Sequence, residues 1–550
     1  MADVNFFDRD QSAPTINGTD QLPPDIGDDE WRSLLELVPA KPSRAGYAMP
    51  TVTVQAGQVH LLATHGEDAI LEAGLPLFQR GQHLVRPVAQ DVPASRGRMT
   101  VAAGFREVSR PGMIDMLAQS ANWERYDGRS KGMKPCDPPG LVADVLMSRA
   151  GSWKVPVVAG VITTPTIRPD GSLLTEPGYD EQTRLFHVPD PRLHLPPMPD
   201  KPDKFEALAA LETLDALLNE FPFVSDIDRS VALSAIITPV VRGAMPVVPL
   251  HAIKASTAGT GKSYLADVAS AIATGRPCPV ANPAARMEET ESRLVGLLLA
   301  AFPIVSLDNV NGELGGDLLC QAVERPLVRV RPLGKSDIIE IESRASFFAT
   351  GNGIRVRGDM TRRTLLCSLD AGLERPESRK FEHRPVEDVL SDRGRYVAAA
   401  LTICRAYLSS GMPGALTPLI SFDEWSDLLR SALVWLGRPD PVDSMEAVRE
   451  GDPDLEELRD LILRWADCVG VGVTMPIREV VDRAAETPDW QDFRDALQRV
   501  AGAKGVVDKR RLGNWVRGKE GRIVNGLRIK RGRPDEHAKV ETWGIFGAAA

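Results

Sequence analysis

The stretch Lys254-Ala-Ser-Thr-Ala-Gly-Thr-Gly-Lys-Ser263 constrains this chain more than any other, because three different local patterns converge on it. Val247 to Lys254 is apolar enough for a buried parallel strand, Ser256 to Gly261 is turn chemistry, and Tyr264 to Ala273 has helical spacing. A strand feeding a glycine turn at a helix start forms a phosphate cradle. The glycines let backbone N–H groups face a phosphate, and the helix N-terminus adds partial positive charge. Lys262 then reaches the γ-phosphate and Ser263 supplies an oxygen for Mg²⁺. Ser256 stands where the pattern G-x-x-x-x-G-K-[ST] has its first glycine; a small residue serves there. The nucleotide contacts expected are Ser256, Thr257, Ala258, Gly259, Thr260, Gly261, Lys262, Ser263 and Tyr264. A glycine turn without a ligand has the same local composition, so the assignment depends on companion motifs further along the chain.

The 550 residues suffice for about three or four domains with large cores. No apolar run approaches the roughly 20 residues of a membrane span. The amino end carries neither a basic stretch nor an apolar one, from which we expect a cytoplasmic protein without membrane contact. Six cysteines, tens of residues apart with no C-x-x-C pair, read as reduced thiols and not as a zinc site. The formal net charge of −10 speaks against a protein coated in nucleic acid, but its distribution is uneven. Lys504 to Lys539 holds twelve Lys/Arg against four Asp/Glu, whereas the first thirty residues hold eight acids and one arginine.

Residues 1–48 read as a disordered acidic arm, either a solvated tail or a docking peptide. Residues 49–200 read as an α+β module. Thr51 to Gln55 with Gln58 to Ala63 form one predicted hairpin, and Leu77 to Val88 form another around Gly81. Helical periodicity covers Gly66 to Ala73, Met113 to Arg125 and Pro139 to Arg149, and Val155 to Thr163 reads as a buried strand. No paired acidic strand of the kind a primer-synthesising site needs is visible there. Arg192 to Pro202 is a proline-rich linker, and residues 201–245 form a helical collar over Asp203 to Glu220 and Asp226 to Arg242.

The companions of the phosphate loop lie within the span 246–438. Ala301-Phe-Pro-Ile-Val-Ser-Leu-Asp-Asn309 is an apolar strand ending in an acid, which places Asp308 beside Ser263 as a second Mg²⁺ ligand. Asn309 comes next, where many such enzymes carry a glutamate that polarises water. Glu288, Glu289 and Glu291 lie ahead of that strand; Glu289 is the candidate base, and stabilisation of a helix N-terminus is the plainer reading of these acids. Leu327 to Arg331 and Asp337 to Ile341 form a hairpin with a basic tip at Lys335. Ala345 to Asn352 is another core strand, whose terminal Asn352 orients water or senses phosphate. Asp359-Met-Thr-Arg-Arg363 sets Arg362 and Arg363 before the apolar strand Leu365 to Leu369, where an arginine neutralises charge in phosphoryl transfer.

Taken together, this ordered series over residues 245 to 385 resembles the compact core of superfamily 3 helicases, AAA+ ATPases of viruses, phages and plasmids. It includes the helicase half of phage and poxvirus-type primase-helicases. The stretches Gln79 to Val85, Trp123 to Asp127 and Pro165 to Asp180 resemble the region ahead of the helicase in related mobile-element ATPases. The resemblance implies an α/β P-loop NTPase core, ATP and Mg²⁺ as cofactors, and a homo-hexameric ring moving 3′-to-5′ on single-stranded or forked DNA. It implies Lys262 and Ser263 on phosphate and metal, Asp308 as Walker B acid, Asn352 as sensor 1, and Arg363, with Arg362 beside it, acting on a neighbour's nucleotide. Lys335 would grip DNA in the channel. Primer synthesis would belong to a separate primase or polymerase. A non-translocating, ATP-controlled DNA-binding switch at an origin or in defence is the alternative that Asn309 keeps open.

Beyond the core, Arg384 to Ser410 and Phe422 to Gly437 are helical, and residues 439–474 read as linker and helix. From 475 to 550 the pattern is three helices and two strands, the order of a winged helix. The third helix carries Lys509, Arg510, Arg511 and Arg517 with Trp515, and the wing carries Lys530, Arg531 and Arg533. Those cations suit DNA phosphates, whereas Trp515 and Trp543 suit the core.

Overall fold

A computed structural model describes residues 48–281, 287–331, 338–503, 505–533 and 540–548. The acidic arm and Lys335 lie outside the described residues. The centre of the molecule is a five-stranded sheet among the described residues. Its strands run Val280–Ala281, Ile304–Leu307, Ser346–Gly351, Leu250–Ala255 and Thr364–Leu369 across the sheet. Every pairing is parallel. Both faces are covered, which is why Leu250 to Ile253 and Ser346 to Gly351 are buried without alternation. The helices Asp226–Ile237, Lys262–Thr274 and Arg393–Ser409 supply apolar cover in the same large core cluster.

His251 lies inside that cluster, stacked on Phe348 at 5.7 Å, with Nε2 2.9 Å from the Ser234 hydroxyl. Burial pushes its imidazole down to about 3, so it is neutral in the folded protein.

The N-terminal module has two cores. In the first, helices Val59–Glu72, Arg110–Ser120 and Gly140–Met147 enclose Leu62, Ile70, Met113, Leu117, Trp123 and Leu146 against a sheet ordered Thr51–Val54, Asn122–Asp127, Gly132–Pro135. The expected hairpin partner Gln58 to Ala63 is instead the start of a helix, because Leu62, Ala63, Gly66, Ala69 and Ile70 bury one helical face. The strand Thr51–Val54 pairs with Asn122–Arg125 in parallel, so its partner is distant in sequence and invisible to local patterning. The helix expected over Met113 to Arg125 accordingly stops at Ser120. In the second core, Phe78–Arg80 and His83–Pro93 form the expected hairpin, extended by Met99–Glu107.

This second half is joined to the central domain. The buried Arg80 donates to the carbonyls of Ala159 at 2.6 Å and Leu298 at 2.8 Å. Arg393 donates to Ile272 O at 2.9 Å and Ala273 O at 3.0 Å, where Thr164 also donates at 2.5 Å. The proline-rich segment read as a linker is a strap, with Arg405 holding Pro199 O at 3.0 Å and Asp200 O at 2.7 Å.

At the C-terminal end, the helix Pro453–Val469 shares a core with the helices Ile477–Glu486, Gln491–Ala501 and Lys509–Gly518. Its Leu458, Leu461, Ile462 and Trp465 are buried there, so this helix is part of the terminal unit's packing. A four-stranded antiparallel sheet, Thr474–Pro476, Thr542–Gly547, Leu527–Arg531 and Ile523–Val524, closes it. No helix among the described residues is long and apolar enough to cross a membrane.

Because His251 is neutral when folded but binds a proton when unfolded below its ordinary value of 6.5, stability falls as pH drops from 6.5 toward 3. Lowering the pH from 7.5 to 5.5 is expected to cost the core about 1.4 kcal/mol through this group. In His251→Asn, denaturant unfolding at the two pH values should show that increment gone; an unchanged pH dependence would rule out the assignment.

Candidate active site

The strand Leu250–Ala255 ends, the chain turns through Ser256 to Gly261, and the helix Lys262–Thr274 begins. The turn requires glycine where φ is positive, +74° at Gly259 and +103° at Gly261. Space reinforces the requirement at Gly259, where an added Cβ would stand 3.0 Å from Glu377 Cβ. Thr260 Oγ1 donates to Thr257 O at 2.8 Å and pins the loop across its own mouth. Lys262 Nζ donates to Thr257 O at 3.0 Å. Burial lowers the Lys262 ammonium below its ordinary value, opposed by the Asp308 carboxylate. The amides at the start of the Lys262–Thr274 helix have no intrahelical acceptor, the general basis on which a helix N-terminus suits an anion.

Asp308 arrives at the same place from the end of the strand Ile304–Leu307. Ser263 Oγ donates to Asp308 Oδ1 at 2.7 Å. Thr350 Oγ1 donates to the same carboxylate oxygen and lies 3.5 Å from Ser263 Oγ. Asn309, at φ +57°, turns its backbone N–H onto Thr350 Oγ1 at 3.4 Å. Two hydroxyls and a carboxylate therefore converge under the loop. Hard oxygen donors of this kind fit a divalent cation, and Ser263 and Asp308 are the residues that would hold it. Sequence reading misses Thr350, whose one signal is a hydroxyl two residues before Asn352 in a strand that is apolar between it and Ser346. Asn352 itself is exposed, one residue past Gly351, which is the register partner of Lys254. Gly351 is required by close approach, since a Cβ there would lie 2.1 Å from Val310 O.

Beside the loop opens a cavity of about 410 Å³. Phe221, Tyr264, Phe381, His383 and Arg384 line it together with Gly259 to Gly261. Phe221 and Tyr264 stack at 6.3 Å with an interplanar angle of 24°. Aromatic walls contiguous with an anion loop suit a nucleoside phosphate. Of these residues only Tyr264 stands out in the sequence, because the others come from the collar and from the segment before the helix Pro385–Ser391.

The remaining expected residues are scattered. Glu289 is exposed and paired with Arg293 one helical turn on, at 2.7 Å. Arg363 points inward: its side chain is 4% exposed and paired with Glu324, to which Nε donates at 3.0 Å. Burial alone would push the Glu324 carboxyl up, but hydrogen bonds from Arg363 and Ser421 and the charges of both arginines hold it below its ordinary value. Arg362 is the outward member, 44% exposed and 3.3 Å from Glu324 Oε1. The hairpin Leu327–Val330 with Ile339–Glu342 is antiparallel as expected, and its tip lies outside the described residues.

In the terminal unit Lys509 is paired with Asp482 at 2.6 Å and Arg517 with Glu541 at 3.1 Å. Arg531 meets Glu520 at 3.1 Å and Glu541 at 2.9 Å, over the Trp543 ring. Arg511 donates to Gly502 O at 2.9 Å, and Arg510 is exposed. Trp543 is buried, and the half-buried Trp515 packs against the same core.

No family profile matches the chain, and no curated protein matches it. Among solved structures, it aligns with the A form apo structure of the NrS-1 C-terminal region, residues 305–718, at 13% identity and a TM-score of 0.33. That alignment covers 75% of this chain and 83% of the other. A further A form apo structure of the NrS-1 C-terminal region aligns at 14% identity and a TM-score of 0.30, over 70% of this chain and 85% of that one. At these scores the alignments carry no argument about the site, which stands on its own geometry.

Thr350→Val keeps the side chain's shape and removes the hydroxyl that orients Asp308. It is expected to weaken divalent-cation binding about 10- to 100-fold, read by Mn²⁺ titration in the presence of a non-hydrolysable ATP analogue. Unchanged affinity would separate Thr350 from the cluster.

Proposed function

We propose that this protein is an ATP-dependent DNA helicase of the superfamily 3, AAA+ type, serving replication of a phage or other mobile element. The observation that carries the reading is the convergence beneath the Lys262 loop of Ser263, from the first turn of its helix, with Asp308 and Thr350, from the ends of neighbouring parallel strands. That arrangement binds the phosphates of a nucleotide and a metal together, and the aromatic cavity beside it accommodates the base. The strand ending at Gly351 separates the loop strand from the Asp308 strand, so Asn352 leaves the sheet between the two. That position supports the reading in which Asn352 orients water at the γ-phosphate.

In this mechanism the loop amides and Lys262 hold the phosphate oxygens while Ser263 and Asp308 hold Mg²⁺. Held by Ser263 and Asp308, Mg²⁺ would supply charge neutralisation at the phosphates. Asn352 positions the attacking water. Arg362, the exposed member of its pair, enters the nucleotide site of the next subunit in a ring, while Arg363 and Glu324 brace the loop from inside. The hairpin bearing Lys335 moves with each turnover and draws a DNA strand along. The terminal helices and antiparallel sheet act as a winged helix that adds duplex affinity through Arg510 and its neighbours.

A second reading, an ATP-controlled switch that binds DNA without moving along it, draws on Asn309. Its amide oxygen accepts from Asn311 at 3.3 Å, and an amide takes no proton from water. Strand displacement on a forked substrate separates the two readings. The helicase is expected to displace with ATP and to lose turnover at least about 100-fold in Lys262→Ala; turnover without displacement supports the switch, and turnover surviving in Lys262→Ala refutes both.

The paired arginines give a further contrast. Arg363→Ala removes the buried partner of Glu324, leaving that carboxylate only Arg362 and Ser421, and is expected to destabilise the core by about 2 to 3 kcal/mol. Arg362→Ala is expected to leave the unfolding midpoint unchanged while cutting ATP turnover of the assembled protein about 1000-fold. Equal effects of the two substitutions on stability and on turnover would contradict this division of roles.

A further inference from the structure

The N-terminal module carries a hairpin that the ATPase reading leaves unused. Asn122–Asp127 and Gly132–Pro135 pair antiparallel, and the second is an edge strand of its sheet. The base of the hairpin is anchored: Trp123 is buried and donates from Nε1 to Leu117 O at 2.9 Å. Its outer end is built differently. Tyr126 stands directly opposite Met133, so the two side chains lie together on one face, 63% and 42% exposed.

Arg129 and Lys131 sit in the turn beyond this pair, and Arg125 and Lys134, opposite each other in the ladder, lie on the other face. The hairpin's two acids are Glu124, which accepts from Thr53 Oγ1 at 3.0 Å, and Asp127. Asp127 is occupied by Lys134 and by hydrogen bonds from Arg129 N and Ser130 Oγ, both at 3.0 Å. Among the described residues no carboxylate pairs with the side chains of Arg125, Arg129 or Lys131. The turn is well defined, with Lys131 held at φ +51°. In a chain of net charge −10, this local excess is not a by-product of overall composition.

Edge strands carry lysine to block unwanted pairing, which accounts for Lys134. It does not account for an exposed tyrosine set beside methionine at the end of a basic finger. A flat apolar ring flanked by unpaired cations is the chemistry that binds single-stranded nucleic acid: bases stack on the ring, and the cations track the phosphates. Bases in a duplex are already stacked and offer the ring no free face.

We propose that this hairpin is a binding site for single-stranded nucleic acid, with Tyr126 and Met133 as the platform for a base and Arg129 and Lys131 as phosphate contacts. The site is separate from the nucleotide loop and from the C-terminal basic helix, and it does not depend on ATP turnover. Strands gathered there are held by the N-terminal module whatever the nucleotide state of the core.

The test uses the full chain without nucleotide and fluorescence anisotropy of labelled oligothymidylate against a mixed-sequence duplex. Tyr126→Ala is expected to weaken oligothymidylate binding about 5- to 100-fold while leaving the duplex unchanged, and Tyr126→Phe to retain binding. Arg129→Gln with Lys131→Gln is expected to reduce the slope of log affinity against log salt by about 1.4 on the single strand. An oligouridylate arm distinguishes DNA from RNA as the strand held. Unchanged affinity and slope in both variants overturn the proposal, as does equal weakening of single strand and duplex by Tyr126→Ala. Because nucleotide is absent, a failure here is distinct from a failure of the ATPase reading.

Discussion

The Asp308 carboxylate is the interaction on which the rest of the central domain depends. It accepts from Ser263 at 2.7 Å and also from Thr350, and so ties the first turn of one helix to the ends of two strands. A carboxylate with two hydroxyl donors and partial shielding from water is held in one orientation. The sheet beneath it is parallel and buried on both faces, so the strand ends form a rigid rim where side chains from separate segments meet. The loop glycines then place backbone amides above that rim. The proposed phosphate and metal site rests on the meeting of these two features.

Rigidity at the rim is supported from the flanks. Arg80 and Arg393 spend their guanidinium groups on main-chain carbonyls that would otherwise be stranded between the N-terminal module and the core. Burial lowers both guanidinium groups to about 10, still well above neutral pH, so each remains a charged donor. A buried cation spread over several carbonyls is a costly arrangement that holds only while both bodies stay in place. This makes the module part of the core's architecture and not a tethered appendage.

A comparable link runs to the terminal unit. Asp452, almost fully buried, accepts from Gly358 N at 3.2 Å, and Arg357 meets Asp454 at 3.0 Å. The loop that carries Arg362 is thus gripped on one side by the start of the terminal unit and on the other by Glu324. The helix Ser444–Glu450 adds a further contact, with Ser444 Oγ accepting from Leu366 N at 3.2 Å. The terminal unit and the arginine loop are therefore joined by a short chain of hydrogen bonds and an ion pair.

The sequence alone determined those features whose signal is local. Glycines before a Lys-Ser pair, an apolar run ending in Asp308, the strands flanking residue 335 and the alternation of helices in the tail are each dictated by nearby residues, and the strands and helices stand where that patterning put them. Tertiary structure decided what depends on distant partners. The pairing of Thr51–Val54 with Asn122–Arg125 changed the reading of Met113 to Arg125, and the burial of Leu62 and Ile70 turned an expected strand into a helix. Arg362 and Arg363 are identical neighbours in composition, and only Glu324, nearly forty residues away, separates the inward one from the outward one. Thr350 and Phe221 gained their places in the same way, because hydroxyls and rings carry no positional signal until folding brings a carboxylate or a loop against them.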